Sequence, residues 1–473
     1  MKHDCCAPDG DFDLAVIGAG SAGFSAAIAA ADSDKSVALI GHGTIGGTCV
    51  NVGCVPSKTM VRAAEAIHCA RAASRFPGLA GEASVIDWSS LMGGKRDLVA
   101  GLRQKKYADL LPEYPNITYF DKGPAELVEG GVRLGGRIIS APKVIIATGG
   151  RPALPPIPGI AGVPTLDSTS LLDLDTLPES LIFLGGGYIG SELALMMARM
   201  GVKVTVVCRS RLLPQAEPEV SDALAGYFRA EEITLYCGAT YDACEASGGR
   251  AALCIEEGGK RLRLLADHLV VTTGRVPNTE GLGLEAMGVE TDGRSAIWVG
   301  DNMATTRPGI YAAGDVTDRD QFVYMAAYGA KLAARNALGG SERYDNSAMP
   351  WVVFTDPQVA GVGLTEAQAR KAGFNVKTSL ISLDNVPRAL AARDTRGLIK
   401  LVVDAETDRL LGGVIMASEG ADSIQTLAMA LKFNMTAKAL GEMVFPYLTT
   451  VEGLKLAAQS FDKDVAKLSC CAG

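Results

Sequence analysis

Two cysteines separated by four residues stand inside Gly46-Gly47-Thr48-Cys49-Val50-Asn51-Val52-Gly53-Cys54-Val55-Pro56-Ser57-Lys58. Helical periodicity alone places Cys49 and Cys54 on different faces. A strained, glycine-ringed turn that leads into a helix brings the two sulfurs together instead. At the N-terminus of such a helix, Cys54 feels the helix dipole, which lowers a thiol pKa and favours the thiolate. Lys58, one turn further on, presents a cation to whatever exchanges electrons there. A zinc half-site and a pair of unrelated core thiols are the alternatives. Zinc, however, wants a second Cys/His pair at matching short spacing. The other close pairs, Cys5-Cys6 and Cys470-Cys471, are adjacent residues at the two ends of the chain. The spacing therefore points to a redox pair.

Several elements must position that pair. Asp13–Gly23 reads as an apolar strand running into Gly18-x-Gly20-x-x-Gly23, followed by an alanine-rich helix over 22–31 and a strand over 36–40. This is the strand–turn–helix setting of a dinucleotide site. The acid that holds the ribose in such sites should end the second strand, but Gly41 stands there, followed by His42 and Gly43. Helices are expected over 59–74 and 87–111, and strands over 117–120 and 133–134. A buried strand over 143–147 ends in Thr148-Gly149. Pro152, Pro155, Pro156 and Pro158 then make a stiff boundary.

A second unit opens at Ser180. Its strand runs into Gly185-x-Gly187-x-x-Gly190, with a helix over 191–200 and a strand over 203–208. That strand ends in Arg209-Ser210-Arg211 rather than an acid. Guanidinium groups suit a 2′-phosphate, which predicts NADPH over NADH, the alternative being two solvated surface charges. The strand over 267–273 repeats the Thr-Gly ending before Gly274. Residues 306–315 end in Gly314-Asp315, where Asp315 can hydrogen-bond a polyol such as ribityl, cap a helix, or do both. From about Tyr344 the texture becomes α+β. Strands are expected over 350–354, 359–364, 377–383, 397–404 and 410–417, and helices over 421–432 and 436–443, as in a dimerisation domain.

The 473 residues allow about three domains. A net charge of −8 argues against nucleic-acid and anionic-membrane partners. No apolar run reaches the ~20 residues needed to span a bilayer. Met1-Lys2-His3-Asp4 opens no secretory segment, so the expected location is the cytoplasm. There most of the 11 cysteines stay reduced, and a disulfide is catalytic rather than structural. Cys5-Cys6 fits an unstructured tail or an accessory thiol pair for a metal.

Taken together, the Cys49–Lys58 motif, the two glycine-rich units and Gly314-Asp315 resemble the flavoprotein disulfide reductases, over nearly the whole chain from Phe12 onward. The ending Leu468-Ser469-Cys470-Cys471-Ala472-Gly473 and the stretch Phe445–Leu456 resemble the mercuric reductases within that family. The fold implied is α/β, with two Rossmann-like dinucleotide-binding domains and an α+β C-terminal dimerisation domain. Its expected division is a short arm (1–10), an FAD domain in two parts (11–150 and 278–343), an NADPH domain (151–277) and a dimerisation domain (344–473). Family members acting on dithiols carry a His–Glu pair near the C-terminus. Here Glu452 matches the acid, but Tyr447 stands at the histidine position. A metal-ion substrate needs no proton on its leaving group, so the loss of the imidazole is chemically coherent. The family's core is often preceded by a Cys-x-x-Cys metal-binding domain; the residues ahead of Phe12 here hold only Cys5-Cys6.

The resemblance implies reduction of Hg(II) to Hg(0) by NADPH through FAD, in a homodimer with shared active sites. Hg(II) is soft and prefers thiolates. The resemblance assigns its capture to Cys470 and Cys471 of the neighbouring subunit, with stepwise exchange onto Cys49 and Cys54. Cys54 is then the thiolate nearest the flavin and Cys49 the exchanging one. Lys58 sits near the flavin with Glu192 as counter-charge. Tyr188, four residues before Glu192 and so on the same helix face, covers the nicotinamide pocket. Tyr447 lies near the metal path. The FAD contacts implied are Gly18, Gly20, Gly23, Gly43, Gly47, Thr48, Lys58, Ala125, Thr148, Gly149, Asp315 and Val323. Those for NADPH are Gly185, Gly187, Gly190, Glu192, Arg209, Arg211 and Gly274. Two other readings remain open: a reductase of a low-molecular-weight disulfide, and a metal-binding or redox-sensing flavoprotein without turnover.

Overall fold

In the computed structural model, which describes residues 11–121, 123–464 and 467, apolar runs too short for helices become the central strands of two parallel sheets. The first has the order Ile310–Ala312, Val144–Ile146, Leu14–Ile17, Val37–Gly41, Ile117–Asp121. Leu14, Ala15, Val16 and Ile17 are all buried, as a strand covered on both faces requires. The second has the order Thr234–Cys237, Lys203–Cys208, Ser180–Leu184, His268–Val271, Thr165–Leu166. A third, antiparallel sheet runs Pro350–Val353, Gln358–Gly363, Leu410–Ala417, Leu398–Asp404, Val376–Ser382. Leu401, Ile415, Leu427 and Leu454 fill the core beneath it.

The chain divides into two compact units. The first comprises residues 1–59, 89–153 and 274–345, and the second residues 60–88, 154–273 and 346–473. Within the first unit, the two segments that border residues 154–273 pair with each other. Gly150–Pro152 runs antiparallel to Arg275–Pro277, and the Ala153 N–H donates to Gly274 O at 3.0 Å.

Within the second unit a buried cation joins three segments. Lys400, on the strand Leu398–Asp404, has 3% of its side chain exposed. Its Nζ lies 3.2 Å from Glu217, 2.8 Å from Glu219 and 3.0 Å from Glu366. Glu217 precedes the helix Pro218–Ala230, and its other oxygen accepts the Glu366 N–H at 2.7 Å. The carboxylates hold the Lys400 ammonium pKa up at about 12 against the cost of burial.

Candidate functional site

Cys49 lies in the short helix Gly47–Asn51, and Cys54 is the first residue of the helix Cys54–Arg71. Val52 and Gly53 break the path between them. The Val52 N–H closes the first helix on Thr48 O at 2.9 Å, and the Ser57 N–H opens the second on Gly53 O at 3.0 Å. The second helix thus starts at Cys54, with Lys58 one turn further on. The Cys49 thiol donates to the Cys54 sulfur, and this bond together with burial pushes its pKa well above the ordinary thiol range. The pair is a dithiol in which Cys49 keeps the proton and Cys54, at the helix start, is the acceptor.

Gly47 seats this loop on the first glycine-rich turn. It has φ +66°, and a Cβ there would lie 2.6 Å from Gly20 Cα. The Gly46 N–H donates to Ala19 O at 2.8 Å. The Asn51 side chain clamps the loop from within, donating to Ile45 O and Gly47 O and accepting from Arg103 at 3.0 Å. The helix expected over 87–111 is regular only over Trp88–Arg103, after which Gln104–Ala108 widens into a π-turn. That turn carries Tyr107, whose hydroxyl is 3.2 Å from Ser21 Oγ and whose ring packs edge-on against Phe24. Burial raises the Tyr107 phenol pKa, and negative charge on Cys49 and Cys54 raises it further. π-turns recur at functional sites, but no spacing in the sequence announced this one.

A neighbouring strand fills the space beside Gly41. Gly41 pairs with Asp121 and Leu39 with Tyr119. A Cβ on Gly41 would fall 2.4 Å from the Tyr119 hydroxyl. That phenol, pushed up to about 12 by burial and by Asp121, stays neutral and able to donate. A hydroxyl from the next strand thus stands where the expected acid's side chain would begin. Gly41→Glu is expected to cost about 1–3 kcal/mol through overpacking, read by thermal denaturation, and to be tolerated once Tyr119→Ala clears the space. An undiminished melting temperature in the single variant would remove Tyr119 from this position.

Asp315 faces Arg275, Oδ2 to Nε at 3.3 Å, and the Arg275 guanidinium also donates to Gly150 O. It caps no helix. The following helix, Val323–Ala337, is preceded by Phe322 at its cap position, so the capping expectation is corrected and the carboxylate stays available for another donor. Thr148 and Asn278 bond each other's backbone carbonyls at 2.7 and 2.9 Å, and the Asn278 N–H donates to Gly149 O at 2.9 Å. Ala125 starts the buried edge of Ala125–Val128, Val323 opens its helix, and Thr48 and Gly43 are exposed.

In the second unit, the helix that carries Gly190 begins at Tyr188 rather than 191. Tyr188 stacks on Trp351, centroids 5.7 Å apart and planes at 14°. Glu192, on the same face and buried, accepts the Phe354 N–H at 2.8 Å. Arg209 is exposed. Arg211 instead spends its guanidinium on Pro214 O and Ala216 O, at 3.2 and 2.9 Å, and so shapes the loop beside Arg209. Gly274 has φ +138°, with open space at its Cβ position.

Both glycine-rich helices can take a dinucleotide. Ser21–Ala31 follows Gly20 and Tyr188–Arg199 follows Gly187, and neither has a side-chain cap or an acidic residue in its first turn. Their first amides and positive dipole ends suit a pyrophosphate.

Glu452 is buried in the first turn of Glu452–Gln459, and its carboxylate accepts the Leu448 N–H at 3.2 Å. It thereby holds the loop that presents Tyr447, which is exposed beside Val444 and Leu448. Glu452 thus bonds the backbone next to Tyr447. Cys5, Cys6, Cys470 and Cys471 lie outside the described residues.

Residues 12–334 match the pyridine nucleotide-disulphide oxidoreductase family, and residues 349–458 match the dimerisation domain of that family. A mercuric reductase of Streptomyces lividans is 46% identical, covering 98% of each chain. One from Bacillus cereus is 46% identical over 98% of this chain and 73% of its own length. Among solved structures, the HOCl-induced flavoprotein disulfide reductase RclA from Escherichia coli, as its Cu(II) complex, superposes with a TM-score of 0.84 at 30% identity, covering 96% of this chain and all of the other.

Proposed function

The chain belongs to the pyridine nucleotide-disulphide oxidoreductases, among the mercuric reductases, and from that premise we propose how its residues share the work. It is an NADPH-dependent flavoprotein oxidoreductase that reduces Hg(II) to elemental mercury, with FAD as its cofactor. When bound, FAD relays electrons from NADPH to the dithiol side. The observation that carries the reading is the Cys49 thiol donating to Cys54 at the head of the helix Cys54–Arg71.

In this reading Cys54 is the thiolate beside the flavin, with Lys58 near by, and Cys49 receives the metal. Asp315 and the Tyr119 hydroxyl hold polyol and ribose hydroxyls of FAD. Tyr188, braced by Trp351, covers the nicotinamide pocket, and Arg209 binds the 2′-phosphate from the loop that Arg211 braces. Residues 154–273 then make up the pyridine-nucleotide domain, and the first unit the FAD domain. Two copies associate through the dimerisation domain, whose exposed Met443, Val444, Tyr447 and Leu448 supply apolar surface. Cys470 and Cys471 of one copy capture Hg(II) and pass it to Cys49 and Cys54 of the other. Each exchange replaces one Hg–S bond with another, so no bare ion forms. No helix among the described residues is long and apolar enough to cross a membrane. We place the enzyme in the cytoplasm, where NADPH is supplied.

The deciding experiment follows NADPH consumption by the purified yellow protein with Hg(II) in excess thiol, and with glutathione disulfide as control. Hg(II)-dependent oxidation with mercury vapour released is the expected result. Turnover with the disulfide alone would overturn the reading. Two variants test the parts. Cys470→Ala with Cys471→Ala should lower turnover of thiol-ligated Hg(II) on the order of 10²-fold, because local capture is lost; unchanged turnover removes the relay. Arg209→Ala should raise the KM for NADPH about tenfold to a hundredfold and leave that for NADH nearly unchanged. Equal effects on the two coenzymes would remove the phosphate contact.

A further inference from the structure

Outside the Cys49–Cys54 site the structure holds a second pair of thiols in contact. Cys208 ends the strand Lys203–Cys208, and Cys237 ends its parallel neighbour Thr234–Cys237. The two stand directly opposite each other in register. Their sulfurs are 3.4 Å apart, with Cys208 donating to Cys237. Parallel neighbours lie about 4.8 Å apart, within the Cα separation that a disulfide bridges. A bond of about 2.05 Å therefore asks the sulfurs to close by little more than an ångström, a distance within reach of side-chain rotation. Both thiols are free, Cys208 buried and Cys237 half-buried.

The two sulfurs are unlike. The hydrogen bond from Cys208 and the charge of Arg229 hold the Cys237 pKa down at about 7, against burial and Glu257. The same bond and burial push Cys208 up. Tyr241, whose hydroxyl donates to Val207 O at 2.9 Å, is pushed up to about 12, first by burial and then by the nearness of Cys208. Cys237 is thus the reachable nucleophile, and Cys208 is the protonated partner behind it. Low pKa, access and an adjacent resolving thiol are the features of a redox-responsive cysteine. Arg209 follows Cys208 directly, and Cys208 O anchors the turn of the next strand by accepting from the Gly238 and Ala239 N–H groups at 2.9 and 3.2 Å.

We propose that Cys208 and Cys237 form a second, non-catalytic redox couple, which hydroperoxides oxidise to a disulfide and which thereby weakens NADPH binding through Arg209. The last clause rests on the role given to Arg209 above. The Cys237 thiolate attacks a peroxide oxygen, so an S–O bond forms, the O–O bond breaks, and hydroxide leaves to take up a proton as water. Cys208 sulfur then displaces the hydroxyl of the Cys237 sulfenic acid, and its proton leaves with that hydroxyl as the second water. Two thiols and hydrogen peroxide become one disulfide and two waters. An external dithiol reverses the bond by exchange.

The test treats the full-length holoenzyme with hydrogen peroxide in the absence of NADPH. NADPH is then added to reset Cys49 and Cys54, free thiols are alkylated, and digested peptides are mapped by mass spectrometry. The expected result is a peptide cross-linked through Cys208 and Cys237, a several-fold rise in the KM for NADPH at unchanged kcat, and recovery with dithiothreitol. In Cys237→Ser the untreated KM should stay normal, and peroxide should shift nothing. In Cys208→Ser the Cys237 sulfenic acid should persist and be trapped by dimedone. Absence of the cross-link in the wild type overturns the couple. A cross-link that leaves the KM unmoved overturns its link to coenzyme binding. Peptide mapping needs no turnover, so it stands apart from the coenzyme assignment, which fails separately if the untreated enzyme uses NADH as readily as NADPH.

Discussion

Cys54→Ala is expected to abolish the long-wavelength charge-transfer absorbance of the holoenzyme and to lower Hg(II)-dependent NADPH oxidation by more than about a thousandfold, since a group acting as part of a unit takes the unit's activity with it. The reason is local. Cys54 opens its helix and receives the Cys49 proton as a hydrogen bond. With alanine there, Cys49 loses both its acceptor and its partner in any disulfide. Cys49→Ala should leave the band in place while turnover falls, because the thiolate at the helix start survives. A band that persists in Cys54→Ala, measured by absorbance of the FAD-loaded protein, would reverse the assignment of the two sulfurs.

Lys400→Met should destabilise the protein by about 3–5 kcal/mol, the cost of leaving a buried carboxylate without its cation. Glu217 has only 4% of its side chain exposed and loses the ammonium 3.2 Å away. Adding Glu217→Gln to Lys400→Met should restore much of the loss, because an uncharged pair of similar volume carries no unpaired charge. Denaturant titration of the single and double variants measures both. A single-variant loss below about 1 kcal/mol would reduce the cluster to an ordinary surface pair. The sign of the pH dependence follows from the raised ammonium pKa. The stabilisation is complete below the unfolded value of 10.5 and is lost as pH rises through about 12.

The two examples also show what a sequence carries. The Cys49–Cys54 pair was legible because its meaning lies within one turn and one helix start. The strands Lys203–Cys208 and Leu410–Ala417 were legible end to end from their density of β-branched and other apolar residues. The helix expected from residue 59 begins five residues earlier, since Pro56 sits in its first turn, where the missing N–H is harmless. The Lys400 cluster was not legible. Its partners lie 34 to 183 residues away, and only the packing of a strand against two helix starts joins them. Tyr107, Tyr119 and Arg275 escaped for the same reason. Strand register aims Tyr119 over Gly41, and a widened helical turn aims Tyr107 at Ser21. The half-polar strands Thr240–Ser247, Arg250–Glu257 and Lys260–Ala266 gave no continuous apolar run to read.

The paired segments Gly150–Pro152 and Arg275–Pro277 carry a consequence for descent. Residues 154–273 leave and return through neighbouring antiparallel strands, fastened at the Ala153–Gly274 hydrogen bond. Because both ends leave side by side, a change within the stretch re-registers no strand of the sheet that holds the Cys49 loop's glycine-rich turn, while Glu217, Tyr188 and Glu192 tie it to Lys400, Trp351 and Phe354. On the roles proposed above, coenzyme preference at Arg209 can then drift on a different clock from the thiol chemistry at Cys49 and Cys54.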